Sequence, residues 1–82
     1  MTQNKQTRIG IIGATGYVGV ELARILAPHP GFQLTVLNSK SFTGKRFSDI
    51  YPAFRSVIDL ELTEPDADTL AASCDIVITA LP

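Results

Sequence analysis

Gly13-Ala-Thr-Gly16-Tyr-Val-Gly19 spaces three glycines at i, i+3 and i+6, directly after the apolar run Arg8-Ile-Gly-Ile-Ile12. That run has no polar face of period two, so it predicts a strand buried on both sides, as in a parallel sheet. Tyr17 to Ala27 then carries Val18, Leu22, Ile25 and Leu26 at helical spacing, with Glu21 and Arg24 on another face. A strand that turns on glycines straight into a helix allows few folds. Gly13 permits a tight exit from the strand, Gly16 leaves open the space a Cβ would fill, and Gly19 lets the first helical turn lie close against the sheet.

The rest of the chain repeats the alternation. Pro28, Pro30 and Gly31 end the first helix, and Phe32 to Leu37 predicts a second strand. Asn38 to Arg46 is polar and reads as a loop, and a short helix is expected at Ser48-Asp-Ile-Tyr51 before Pro52. Val57 to Leu62 alternates apolar and acidic residues towards its end, which predicts a strand with one wet face. Pro65 to Ser73 predicts a helix, with Asp66 and Asp68 near its positive end. Ile76 to Leu81 predicts a last strand, apolar on both faces, and Met1 to Thr7 reads as a loose tail. Strands alternating with helices imply right-handed crossovers and a parallel sheet. The expected fold is therefore α/β, the N-terminal strands and helices of a Rossmann-type doubly wound sheet.

A complete fold of that kind does not fit in 82 residues, since domains commonly run to roughly 100–150. Residues 1–82 are therefore expected to be the N-terminal part of a dinucleotide-binding domain within a longer enzyme. A hydrophobic content of 45% argues against disorder. Seven Lys and Arg against eight Asp and Glu create no field that would draw the chain to nucleic acid or an anionic membrane. No apolar stretch is long enough to span a bilayer, and the basic start lacks a signal-peptide core, so a cytoplasmic protein is expected. A lone cysteine makes no internal disulfide.

The glycine turn carries the chemistry. Free N–H groups around Thr15 to Val18 at a helix N-terminus suit phosphate oxygens, and the Thr15 hydroxyl is a further donor. The alternative is a turn that only packs. In NAD-selective folds an acid ends the second strand and accepts from the ribose. Here Asn38, Ser39, Lys40 and Ser41 stand instead, and hydroxyls with a lysine suit the 2′-phosphate of NADP. The competing reading makes Ser39 part of a turn, with Lys40 and Ser41 solvated. Cys74 follows a helix C-terminus, where the dipole has the wrong sign to activate a thiol, so it reads as structural. His29 reads as a turn residue, and Asp59, Glu61, Glu64, Asp66 and Asp68 as a solvated acidic stretch. Phe42, Phe47, Tyr51 and Phe54 are expected to pack the loop. No spacing suggests a metal site.

Ile11 to Gly19, Asn38 to Ser41, Gly44-Lys45, Ser48-Asp-Ile-Tyr-Pro52 and Ile78-Thr-Ala-Leu-Pro82 together resemble the N-acetyl-γ-glutamyl-phosphate reductase family. The glycine motif alone is shared with aspartate-semialdehyde dehydrogenase. Tyr17, Gly44-Lys45 and the Ser48 to Pro52 run favour the reductase branch. The resemblance implies NADPH-dependent reduction of an acyl phosphate to a semialdehyde with release of phosphate. It implies a cysteine thiolate that forms a thioester and a histidine acid/base, both expected beyond residue 82, so no residue here takes a catalytic role. It implies cofactor contacts at Gly13, Thr15, Gly16, Tyr17 and Val18 (pyrophosphate), at Ser39, Lys40 and Ser41 (2′-phosphate), and at Leu81 and Pro82, which close over the cofactor. A homo-oligomer is expected at full length, and no catalysis from the isolated chain. The competing readings are aspartate-semialdehyde dehydrogenase and a non-catalytic NADP-sensing protein.

Overall fold

The computed structural model describes residues 6–81. In chain order it contains β1 (Thr7–Ile12), α1 (Tyr17–Leu26), β2 (Phe32–Asn38), α2 (Phe47–Ile50), a 3-10 turn (Pro52–Phe54), β3 (Leu62–Thr63), α3 (Ala67–Ser73) and β4 (Ile76–Thr79). The strands form one parallel sheet in the order β3-β2-β1-β4. The chain steps from β1 to β2 to β3 on one side, then crosses back to place β4 on the other side of β1. Right-handed crossovers in opposite directions put α1 and α3 on opposite faces. The fold is thus the α/β architecture expected, with its switch point between β1 and β4.

Side-chain alternation along β1 sorts the two faces. Ile9 and Ile11 are buried and join Leu37 of β2, Ala23 of α1 and Phe47 of α2 in the main core. Gly10 points the other way, beside its partner Val36. A Cβ on Gly10 would stand 2.6 Å from the Cys74 Sγ and 3.3 Å from the Leu70 Cδ2, so α3 and its exit seat on the sheet only because position 10 is bare. The register shifts between Ile9 and Gly10, skipping Thr35, whose hydroxyl donates to the Ser73 carbonyl at 2.8 Å. That bond satisfies one of the carbonyls α3 leaves open at its C-terminus. Cys74 is buried here, as a structural residue should be. At the other end of α3, the Asp66 carboxylate accepts from the Thr69 hydroxyl at 2.6 Å and its N–H at 3.3 Å, which holds the carboxyl below its ordinary pKa.

Several expectations need correction. Val57 to Leu62 is not a strand; only Leu62–Thr63 pairs with β2. Its alternation is real, with Ile58 and Leu62 buried and Val57, Asp59 and Glu61 exposed. The backbone groups are taken elsewhere: Leu60 O accepts from Phe47 N, Leu62 O from Gly44 N, and Leu62 N donates to Lys45 O. The loop 44–47 thus occupies the hydrogen bonds that a longer ladder would need. The last strand stops at Thr79 rather than Leu81. Among the described residues it pairs with β1 alone, with Ile76 45% and Val77 40% exposed. The short helix begins at Phe47, one residue early. Of the proposed tail, Thr7 already belongs to β1 and Gln6 donates to the Pro30 and Phe32 carbonyls, while residues 1–5 lie outside the described residues. Among the described residues no helix is long and apolar enough to cross a membrane.

We expect Gly10→Ala to cost about 1–3 kcal/mol in urea denaturation, the usual penalty of overpacking. In a Cys74→Ala background the same change should cost clearly less, because the atom it strikes is gone. Equal costs in both backgrounds would refute the packing account.

Candidate functional site

A cleft of about 520 Å³ opens at the carboxyl ends of β1, β2 and β4. In open α/β sheets ligands bind at this place, beside the reversal of strand order. Gly13, Thr15 and Gly16 form one wall, Asn38 to Ser41 another, and Ala80 and Leu81 a third.

The glycine turn is held from below. Gly13 N and Ala14 N both donate to the Asn38 carbonyl, at 3.1 and 2.9 Å. Gly13 has φ +84°, a conformation that favours glycine, and its open side faces the Ala80 carbonyl, 3.0 Å from where a Cβ would stand. A Cβ on Gly19 would overlap the Gly13 carbonyl oxygen and the Ala14 backbone, so the first turn of α1 lies directly on the loop. Gly16 differs. A Cβ there would meet nothing nearer than the Gly13 oxygen at 3.6 Å, and its φ of −79° suits any residue. The protein itself does not require glycine at 16; what the bare position leaves is room in the cleft. Gly16 caps α1 without a side-chain hydrogen bond, so the N–H groups of the first turn have no intrahelical carbonyl to bond. Bare backbone, open amides and the positive end of a helix together suit an anionic diphosphate.

The loop after β2 forms the second wall. Asn38 is 1% exposed, and its side chain points away from solvent to donate to Thr63 O at 3.1 Å and Thr63 Oγ1 at 2.8 Å. Its Oδ1 is buried without a hydrogen-bond partner among the described residues. Ser39 is 5% exposed. Its hydroxyl lies 3.0 Å from that of Thr15 and accepts from Phe42 N at 3.3 Å. Lys40 and Ser41 are exposed on the cleft.

The structure thus brings together Gly13, Thr15, Gly16, Ser39, Lys40, Ser41 and Leu81 around one cleft. Tyr17 and Val18 do not line it; they are 96% and 61% exposed, at the start of α1 beside it. Pro82 lies outside the described residues. For Tyr51 the sequence predicts only packing. It does pack on Phe47, with ring centroids 5.3 Å apart, but its hydroxyl also donates to the Thr15 carbonyl at 2.7 Å. Its place in the Ser48 to Pro52 run was the available signal, though no spacing rule connects it to the glycine turn. His29 is an exposed turn residue that accepts from Gly31 N. The acidic stretch is exposed, with Asp59 paired to Arg46. Among the described residues no cluster of His, Cys, Asp and Glu is arranged for a metal.

The family model "Semialdehyde dehydrogenase, NAD binding domain" matches residues 8–82. The chain belongs to this family. An N-acetyl-γ-glutamyl-phosphate reductase of Halothermothrix orenii is 51% identical over 75 residues, covering 92% of this chain and 22% of that protein. The enzyme of the same name from Acetivibrio thermocellus is 46% identical over 74 residues, covering 90% and 21%. Among solved structures, aspartate semialdehyde dehydrogenase with NADP from Candida albicans superposes with a TM-score of 0.80 at 26% identity, covering 95% of this chain and 24% of that one. The chain spans about a fifth of the length of the curated relatives it matches.

Gly16 and Gly19 of this semialdehyde dehydrogenase domain separate by experiment. Gly19→Ala should cost about 1–3 kcal/mol or more, because the obstacle is backbone. Gly16→Ala should leave stability unchanged or raise it by about 0.4–1 kcal/mol, as at any compatible site. Thermal or urea unfolding of both variants checks this, and similar losses would refute it.

Proposed function

We propose that this chain is the cofactor-binding part of an NADPH-dependent N-acetyl-γ-glutamyl-phosphate reductase. On this reading residues 1–82 form the N-terminal part of its dinucleotide-binding domain. The enzyme reduces a small acyl phosphate to N-acetylglutamate semialdehyde and releases phosphate. The observation that carries the reading is the 46–51% identity to reductases of that name over nine-tenths of this chain. Aspartate-semialdehyde dehydrogenase is the second reading; it has the fold likeness but only 26% identity. A cytoplasmic homo-oligomer without nucleic-acid or membrane partners belongs to the same proposal, as does an isolated chain without activity.

NADPH, when bound, supplies the hydride. The residues around the cleft bind and orient it. The amides of Tyr17 and Val18 at the start of α1, the Thr15 hydroxyl and the space at Gly16 receive the pyrophosphate, and Gly13 shapes the turn. Lys40 and Ser41, exposed on the cleft beyond β2, receive the 2′-phosphate. No acid ends β2 to repel that phosphate. Leu81 closes on the cofactor from the β4 side.

The test is phosphate-dependent NADP reduction by the full-length protein with N-acetylglutamate semialdehyde, with aspartate semialdehyde as control. Turnover of the second substrate alone would sink the reductase reading. Lys40→Ala should weaken NADPH binding about tenfold and leave NADH binding unchanged, since one charge-assisted contact to phosphate is lost. Gly16→Ala should weaken both nucleotides.

A further inference from the structure

We propose that Ser39 is a positioning residue, which fixes the Thr15 hydroxyl as a donor to the cofactor's pyrophosphate rather than touching the 2′-phosphate itself. The inference rests on the dinucleotide reading above. Its basis is that every polar atom of Ser39 is already engaged. The amide donates to Thr63 O at 3.1 Å, and the carbonyl accepts from the Thr43 hydroxyl at 2.6 Å. The hydroxyl oxygen accepts from Phe42 N at 3.3 Å and lies 3.0 Å from Thr15 Oγ1. The residue is 5% exposed.

The direction of the last bond follows from the proton inventory. A backbone N–H only donates, so Ser39 Oγ is the acceptor towards Phe42. Its own proton then needs an acceptor, and the Thr15 oxygen is the one in reach among the described residues. Were Thr15 the donor, the Ser39 proton would be buried and unpaired, a costly arrangement. The chain therefore runs from Phe42 N–H through Ser39 O–H to Thr15 Oγ1, and leaves the Thr15 proton free for the cleft that Thr15 lines. Donors aligned in series polarise one another, and the last is the strongest towards an anion. Tyr51 completes the arrangement by donating to the Thr15 carbonyl at 2.7 Å, so Thr15 is fixed at main chain and side chain. Lys40 and Ser41, exposed beside it, stay free to read the 2′-phosphate.

Nucleotide titration of the full-length protein tests this, with NADPH and NADH measured in parallel. Ser39→Ala should weaken both by the same factor, about five- to tenfold for one lost hydrogen bond, so their ratio stays constant. Lys40→Ala should change that ratio. Thr15→Val should match the Ser39→Ala loss, and adding Ser39→Ala to Thr15→Val should bring no further loss. Loss confined to NADPH in Ser39→Ala would show a direct 2′-phosphate contact and overturn the proposal. Additive losses in the double variant would overturn it too. If Ser39→Ala does not fold, Tyr51→Phe carries the test: an equal loss for both nucleotides supports the anchoring of Thr15, and no loss overturns it. An unmodified protein that binds neither nucleotide would refute the dinucleotide reading itself, an outcome distinct from all of these.

Discussion

The Asn38 carbonyl accepts from both Gly13 and Ala14, and most of the cleft depends on that one acceptor. It ties the turn after β1 to the end of β2, so the two walls of the cleft are set by a single peptide unit. With the turn pinned there, α1 starts directly over it, and Gly19 must be bare to let the helix down. The same residue reaches outward through its side chain to Thr63, which brings β3 into line and positions the loop that carries Lys40 and Ser41. The buried, unpartnered Oδ1 is a cost of that arrangement, of order 1–3 kcal/mol. It is tolerated because the carbonyl and the amide nitrogen of the same residue join three segments.

The second constraint is the bare face of β1 at Gly10. A parallel sheet in a doubly wound fold needs a helix on each face, and the two faces here are not equal. Ile9 and Ile11 support α1 with branched side chains. Gly10 supports α3 by having none, so that Cys74 and Leu70 approach the strand itself. This sets how deeply α3 sits and where β4 enters the sheet beside β1. Ala80 then arrives against Gly13, with Ala80 N donating to Ile12 O, and Leu81 reaches the rim of the cleft. Packing on the face away from the site thus places its third wall.

Much of this was legible in the sequence because the signals are local. A strand buried on both sides, glycines three apart and an amphipathic helix act within a few residues of one another, and the order of elements followed from them. The loop residues from Ser39 to Ser41 stand out in the sequence by what is missing, an acid after β2. The failures have a common cause. Val57 to Leu62 alternates as a strand does, yet its carbonyls belong to Gly44 and Phe47. Alternation reports which side chains face inward, not which chain supplies the hydrogen bonds. The last strand likewise ends at Thr79, short of its apolar run, because only Ile76–Thr79 pair with β1.

The residues alone determined the α/β alternation, the parallel sheet, the glycine turn at a helix N-terminus and the lack of an acid after β2, because each is a property of neighbours in the chain. Only the tertiary structure decided that Ser39 turns inward while Lys40 and Ser41 stay free, that Tyr51 reaches across 36 positions to Thr15, and that Asn38 serves three segments at once. Those are contacts between groups far apart in sequence. Their directions depend on how the loop from Ser39 to Phe54 folds back over the end of the sheet, which no periodicity encodes.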